Sequence, residues 1–166
     1  MKTALKLCDS YKKVERGTHA SCRIRGHWLA DRWDELDDIF YPEYFGQTNG
    51  EFFKMENQLE KLKGYDVIIL HKAYEWELAK NLRERGQKVV VDLADPDFLL
   101  GHSDAHRAGL CMMTLNNADA IVLNAKPMIE SLKHYDKPIF VITDRVDTTK
   151  FKDFKREHRD KIEELV

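Results

Sequence analysis

Cysteine is scarce: Cys8, Cys22 and Cys111 are the 3 in a chain of 166 residues. An odd count without metal-like or redox-like spacing argues against a disulfide framework or a cysteine metal centre, so a reduced, cytoplasmic protein is expected. Long hydrophobic runs are also missing. The longest, near Val67–Leu70 and Val89–Val91, fall far short of the roughly 20 apolar residues that cross a bilayer. Lys2, Lys6 and Asp9 interrupt the start, where a signal peptide would carry its apolar stretch. Neither charge sign dominates. Lys plus Arg is 27 and Asp plus Glu is 29, a formal net charge of -2, so no bulk basic field draws the chain to nucleic acid. Glycine is sparse where a dinucleotide fingerprint needs three: Gly17 stands alone after the first strand candidate, which disfavours a wrapped NAD or FAD pyrophosphate. The sequence has no Gly-x-Ser-x-Gly elbow, P-loop, Cys-x-x-Cys or His-Glu-x-x-His. It also shows no internal repeat, low-complexity tract or linker.

What is present suits one domain with a core. Hydrophobic residues at 43% and charged residues at 34% let the chain both bury an interior and solvate a surface. Asp66-Val67-Ile68-Ile69-Leu70-His71 is a continuous, β-branched-rich run, the pattern of a strand covered on both faces. A helix is expected over 73–85, with Leu78, Ala79 and Leu82 inward and Gly86 ending it. Lys88-Val89-Val90-Val91-Asp92-Leu93 is the next strand, which completes a βαβ unit with parallel neighbours.

The alternation continues with a helix over 104–117, a strand over 120–124, a helix over 126–135 and another buried strand over 138–143. Earlier in the chain, 4–8 reads as an opening strand weakened by Lys6. Ala20, Ile24, Trp28, Leu29 and Trp33 share a helical face. Ile39-Phe40-Tyr41 reads as a short strand, and Phe52 to Leu62 as a helix ending at Gly64. The sum is a Rossmann-like, doubly wound parallel α/β sheet of about six strands in three α/β/α layers. Phe151, Phe154, His158, Ile162 and Leu165 keep a helical period up to Val166. That stripe fits either a helix leading on to something else or one lying on its own sheet.

In such a sheet, function collects beyond the carboxyl ends of the strands. The polar residues there are Asp9, His71, Lys72, Asp92, Asp95, Asp97, Asn124, Lys126, Asp144, Arg145 and Asp147, although a strand leaving a core also ends on such residues. The loop through Gly17, Thr18, Ser21, Arg23 and Arg25 opens a helix, and reads as an anion site or as a solvated helix face. Asp92, Asp95 and Asp97 crowd one strand exit, as a general base, as acceptors for sugar hydroxyls, or as an Asp-Pro turn. His102 and His106 are four apart, but no third ligand accompanies them, so no metal site is expected. One of the two can serve as a site base or hydrogen-bond donor.

Taken together, these blocks resemble the N-terminal half of GT-B glycosyltransferases of the family-4-like kind. The resemblance runs through Asp66 to Lys72, Ala79 to Gly86, Val89 to Pro96, and Ala118-Asp119-Ala120-Ile121-Val122-Leu123-Asn124-Ala125. It continues through Pro138 to Asp147 with Phe151, and Ser21-Cys22-Arg23-Ile24-Arg25-Gly26 is similar to that family's early Ser-x-Arg-x-Arg segment. Asp144-Arg145 stands where the family has a glycine-containing turn.

The resemblance implies an acceptor-side domain over 1–150, with 151–166 opening the passage to a donor-binding domain outside this chain. It implies a nucleotide-sugar donor, a sugar or other hydroxyl-bearing acceptor, no cofactor, and little activity for this segment alone. Asp92, Asp95 and His102 would then carry the acceptor chemistry. Arg23 and Arg25 would face the donor phosphates, with His71, Lys72, Asn124, Lys126 and Asp144 lining the site. A stand-alone ligand- or partner-binding module of the same fold is the alternative.

Overall fold

β-Branched and leucine-rich runs with no polar alternation can only be satisfied by burial on both sides, and here they form a single sheet. The structure, a computed structural model, describes residues 1–8, 20–27, 33–42 and 55–144. In chain order these form β1 (Thr3–Leu7), α1 (Ala20–Cys22, passing into a π-turn over Arg23–His27) and β2 (Asp38–Phe40). Next come α2 (Met55–Lys61), β3 (Val67–His71), α3 (Trp76–Glu84) and β4 (Lys88–Leu93). The last described elements are α4 (Ala105–Asn116), β5 (Ala120–Leu123), α5 (Met128–Leu132) and β6 (Ile139–Val141). The loop from Asp9 through Gly17, Trp28, Phe52, Arg145, Asp147 and the stripe over 151–165 lie outside the described residues.

The strand order is β2-β1-β3-β4-β5-β6, and every pair is parallel. This is the Rossmann-like α/β arrangement the sequence implies. Side chains alternate across each strand, so β1 sends Ala4 and Lys6 to one face and Leu5 and Leu7 to the other. On the first face, Ala4, Ile68, Leu70 and Val89 pack with Leu59 and Leu62 and with Leu78 and Leu82 of α3. Val91, Leu93, Ile121 and Leu123 continue that layer against Cys111 and Leu115 of α4 and Leu132 of α5. On the second face, Leu5 and Leu7 pack with Cys22 of α1 and with Tyr41. Each fully buried leucine in these layers contributes roughly 1.5–3 kcal/mol of transfer free energy.

Several boundaries differ from the sequence reading. Lys6 sits within β1 at 1% exposure because its ammonium reaches Glu75. The expected helix over 73–85 starts only at Trp76, which leaves Lys72 to Glu75 as a loop. Trp33 precedes β2 in a turn, where its carbonyl accepts from Leu36 N–H at 3.0 Å, rather than lying on the α1 face. The expected buried strand over 138–143 is the edge strand β6, and Phe140 and Ile142 are each 55% exposed. Among the described residues that edge has no neighbouring strand on one flank, and no sequence pattern marks it.

Helix ends follow local rules. Gly86 closes α3 at φ 84°, a left-handed conformation that glycine adopts without cost. Asp104 caps α4, its carboxylate accepting from Arg107 N–H at 2.9 Å. Asp104→Ala should therefore lower stability by about 1 kcal/mol. Urea unfolding would show this as a lower midpoint at unchanged slope, and an unmoved midpoint would remove the cap from the account.

Candidate functional site

Register sets the site. Leu7 pairs with His71, and His71 with Asp92, so the ends of β1, β3 and β4 stand side by side. The chain builds outward from β1 in one direction to β2 and in the other to β3, and the crevice at such a switch is where open α/β sheets bind ligands.

Behind this rim lies a buried charge network. Arg25, on the π-turn of α1, donates from Nε to Asp92 Oδ2 at 2.9 Å and from Nη2 to Asp92 Oδ1. Its Nη1 donates to the Ile142 carbonyl and to Asp144 Oδ1, both at 2.7 Å. His71 Nδ1 meets Asp92 Oδ2 at 2.7 Å, and the ring is fully buried. Nε2 has no hydrogen-bond partner among the described residues. Nδ1 donates toward the ionised carboxylate, which can only accept.

Burial alone would push the Asp92 carboxyl up. Hydrogen bonds from His71 and Arg25 outweigh that burial and hold the carboxyl below its ordinary value. Burial likewise opposes the Arg25 charge, but Asp92 and then Asp144 keep its pKa above the usual value. Both Asp92 oxygens are thus engaged and ionised, an arrangement that fixes α1, β4 and the exit of β6 to one another.

A second network hangs from Asp97, just beyond β4. Its carboxylate accepts from Tyr74 Oη at 2.6 Å, Arg107 Nη2 at 2.8 Å and Ser103 Oγ at 2.9 Å. His102 Nε2 lies 3.7 Å from the same carboxylate. Burial would raise the Asp97 carboxyl, yet Arg107, Tyr74 and Ser103 together bring it down to about 2. Arg107 also stacks 5.2 Å over the Tyr74 ring. Hydrogen bonding to Asp97, set against burial, holds the guanidinium pKa above its usual value.

Tyr74 and Arg107 of this second network line an open cavity of about 380 Å³. Leu7 and Cys8 border it at the end of β1, Lys72 and Glu75 after β3, and His106 and Arg107 at the start of α4. Lys72 pairs with Asp95 and donates its backbone N–H to the Asp92 carbonyl at 3.1 Å. Its φ of 51° is left-handed for a residue with a side chain, a conformation costing on the order of 1–3 kcal/mol that concentrates at ligand-binding positions.

The expected site residues therefore divide. Arg25, His71, Asp92 and Asp144 form the buried network, and Lys72 with Asp95 forms the rim pair. Asn124 Nδ2 donates to the Ala94 carbonyl and ties the ends of β4 and β5 together. Lys126 is exposed past β5, His102 stands over Asp97, and the Arg23 side chain lies outside the described residues. Glu75 and Arg107 were not among the expected site residues, since both fall within stretches that read as helices, 73–85 and 104–117. Among the described residues, no three His, Cys, Asp or Glu side chains are placed to hold a metal ion. No helix there is long and apolar enough to cross a membrane. Compared with known proteins, the chain matches no family model and no curated relative.

Proposed function

We propose that this chain is the acceptor-side half of a nucleotide-sugar-dependent GT-B glycosyltransferase, and that the cavity at the β1–β3 switch receives the acceptor. The observation that carries the reading is the lining of that cavity. Lys72, Glu75, Asp104, His106 and Arg107 line a space of about 380 Å³, within the range of small-ligand pockets. Donors and acceptors of both signs on a small open surface suit a polyhydroxylated molecule, which presents both to its host.

The roles follow from access. Asp95, 43% exposed and paired with Lys72, is the carboxylate open to an acceptor hydroxyl. Asp92 is a positioning residue that acts through His71 and Arg25. His102 and Asp144 border the rim through Asp97 and Arg25. Donor phosphates would be held chiefly by the second domain; Arg25, closed off by Asp92, the Ile142 carbonyl and Asp144, would position its turn rather than meet them. Transfer needs the acceptor hydroxyl held in line with the anomeric carbon, and this half would supply that positioning.

Calorimetric titration of the chain with glucose 6-phosphate and with a uridine diphosphate sugar tests the reading. The sugar phosphate should bind, and His106→Ala should weaken it roughly tenfold, the loss of one good polar contact. The nucleotide sugar should bind more weakly and undergo no turnover. Tight binding of the nucleotide sugar, or its turnover by this chain alone, would contradict the assignment.

A further inference from the structure

We infer that Cys8 and Cys22 form a thiol–disulfide modification site at the wall of the cavity, closed by a low-molecular-weight disulfide and opened by its thiol. The two residues are 14 apart in sequence, with no spacing to advertise them, yet their sulfurs meet at 3.4 Å. That contact lies about 1.4 Å beyond the roughly 2.0 Å of a disulfide bond, a gap that side-chain rotation and a small backbone shift close.

Their exposures assign the roles. Cys8 is half-buried at the end of β1 and borders the cavity, so a soluble disulfide reaches it. Cys22 is fully buried in α1, with its sulfur against that of Cys8. Cys8 is therefore the attacking residue and Cys22 the resolving one.

The chemistry balances with a glutathione-type disulfide as oxidant. Cys8 sulfur attacks one sulfur of RSSR, forming a Cys8–S–SR mixed disulfide and releasing RSH. Cys22 sulfur then attacks Cys8 Sγ, forming the internal bond and releasing a second RSH. The two protein thiols give up two hydrogens and two electrons, and RSSR is reduced to two RSH. Such transient disulfides belong to reducing compartments as well as oxidising ones.

The modification would have a structural consequence. Arg25 follows Cys22 on the same turn and holds Asp92, the Ile142 carbonyl and Asp144. A bond from Cys22 to Cys8 would fasten that turn to the end of β1 and take the Cys8 thiol out of the cavity wall. Cys111 is the internal control: it is fully buried, and burial followed by the nearby Asp97 charge pushes its thiol up to about 12.

The experiment exposes the whole chain to mixtures of oxidised and reduced glutathione, with acid quenching, intact mass and peptide mapping. Two of the 3 thiols should be lost together, the mass should fall by two hydrogens without an adduct, and mapping should link Cys8 to Cys22. Dithiothreitol should reverse the change. Cys22→Ser should instead accumulate a glutathione adduct on Cys8, and Cys111→Ser should behave as the parent chain. A parent chain that keeps all its thiols in oxidised glutathione alone, that stops at an adduct on Cys8, or that links either residue to Cys111 would overturn the inference. Each of those results is read on the parent chain, so a variant that fails to fold does not shield the proposal.

Discussion

Arg25→Met should destabilise the chain by about 3–5 kcal/mol, the usual cost of stranding one partner of a buried ion pair. Arg25 is 7% exposed and Asp92 is 5% exposed, so water does not replace the lost donors. Among the described residues Asp92 would keep only the His71 hydrogen bond, and the Ile142 carbonyl and Asp144 would lose their link to α1. Asp92→Asn should cost a comparable amount, because among the described residues Arg25 is then left with Asp144 as its only anionic partner. The double variant Arg25→Met/Asp92→Asn should lose much less than the sum of the two, since the first change already removes most of what the second removes.

The pH dependence separates this account from simple loss of packing. The Asp92 carboxyl titrates below its ordinary value in the folded chain. Its contribution is therefore complete above the unfolded value near ~4 and is lost as pH falls through the lower folded one. Without Arg25 that depression is reduced, so the deficit of Arg25→Met should shrink as pH is lowered below about 4. Urea midpoints taken across that range test this, and a deficit independent of pH would point to packing alone.

Asp97→Ala carries the second large effect, about 2–4 kcal/mol, because three donors lose one acceptor in a nearly closed site. Tyr74 Oη, Ser103 Oγ and Arg107 Nη2 all converge on this carboxylate, which is 4% exposed. Asp97→Asn retains an acceptor oxygen and should cost less.

The acid limb follows from the same geometry. With the folded carboxyl at about 2 and the unfolded one near 3.8, ionised Asp97 stabilises the fold above pH ~4 by at most about 2 kcal/mol. That stabilisation should fade between about pH 4 and pH 2 and be missing from the acid limb of Asp97→Ala. Parallel acid limbs for parent and variant would show that Asp97 contributes nothing through its charge.

How much of this was legible in sequence depends on range. Val67 to Leu70, Val89 to Val91 and Ile121 to Leu123 announce themselves because a strand covered on both faces needs apolar residues without interruption. β1 is less clear, since Lys6 reads as a flaw until Glu75, 69 residues away, supplies its countercharge. The sequence also pointed to Asp92 as a strand-end carboxylate. Its partner Arg25 lies 67 residues earlier, and only the sheet register and the α1 turn bring the two together. Tyr74 and Glu75 share the composition of the helix that follows them, so nothing local marks them as a loop. Cys8 and Cys22 were discounted on spacing, which carries no information about a contact made between a strand end and a helix.

Amide chemical-shift mapping of the isotopically labelled chain during titration with glucose 6-phosphate tests most directly whether the rim at β1 and β3 is a sugar-handling surface. Saturable shifts gathered at Cys8, Lys72 to Glu75 and Asp104 to Arg107 are the predicted result. Shifts confined to the exposed edge around Phe140, or none at millimolar ligand, would contradict it.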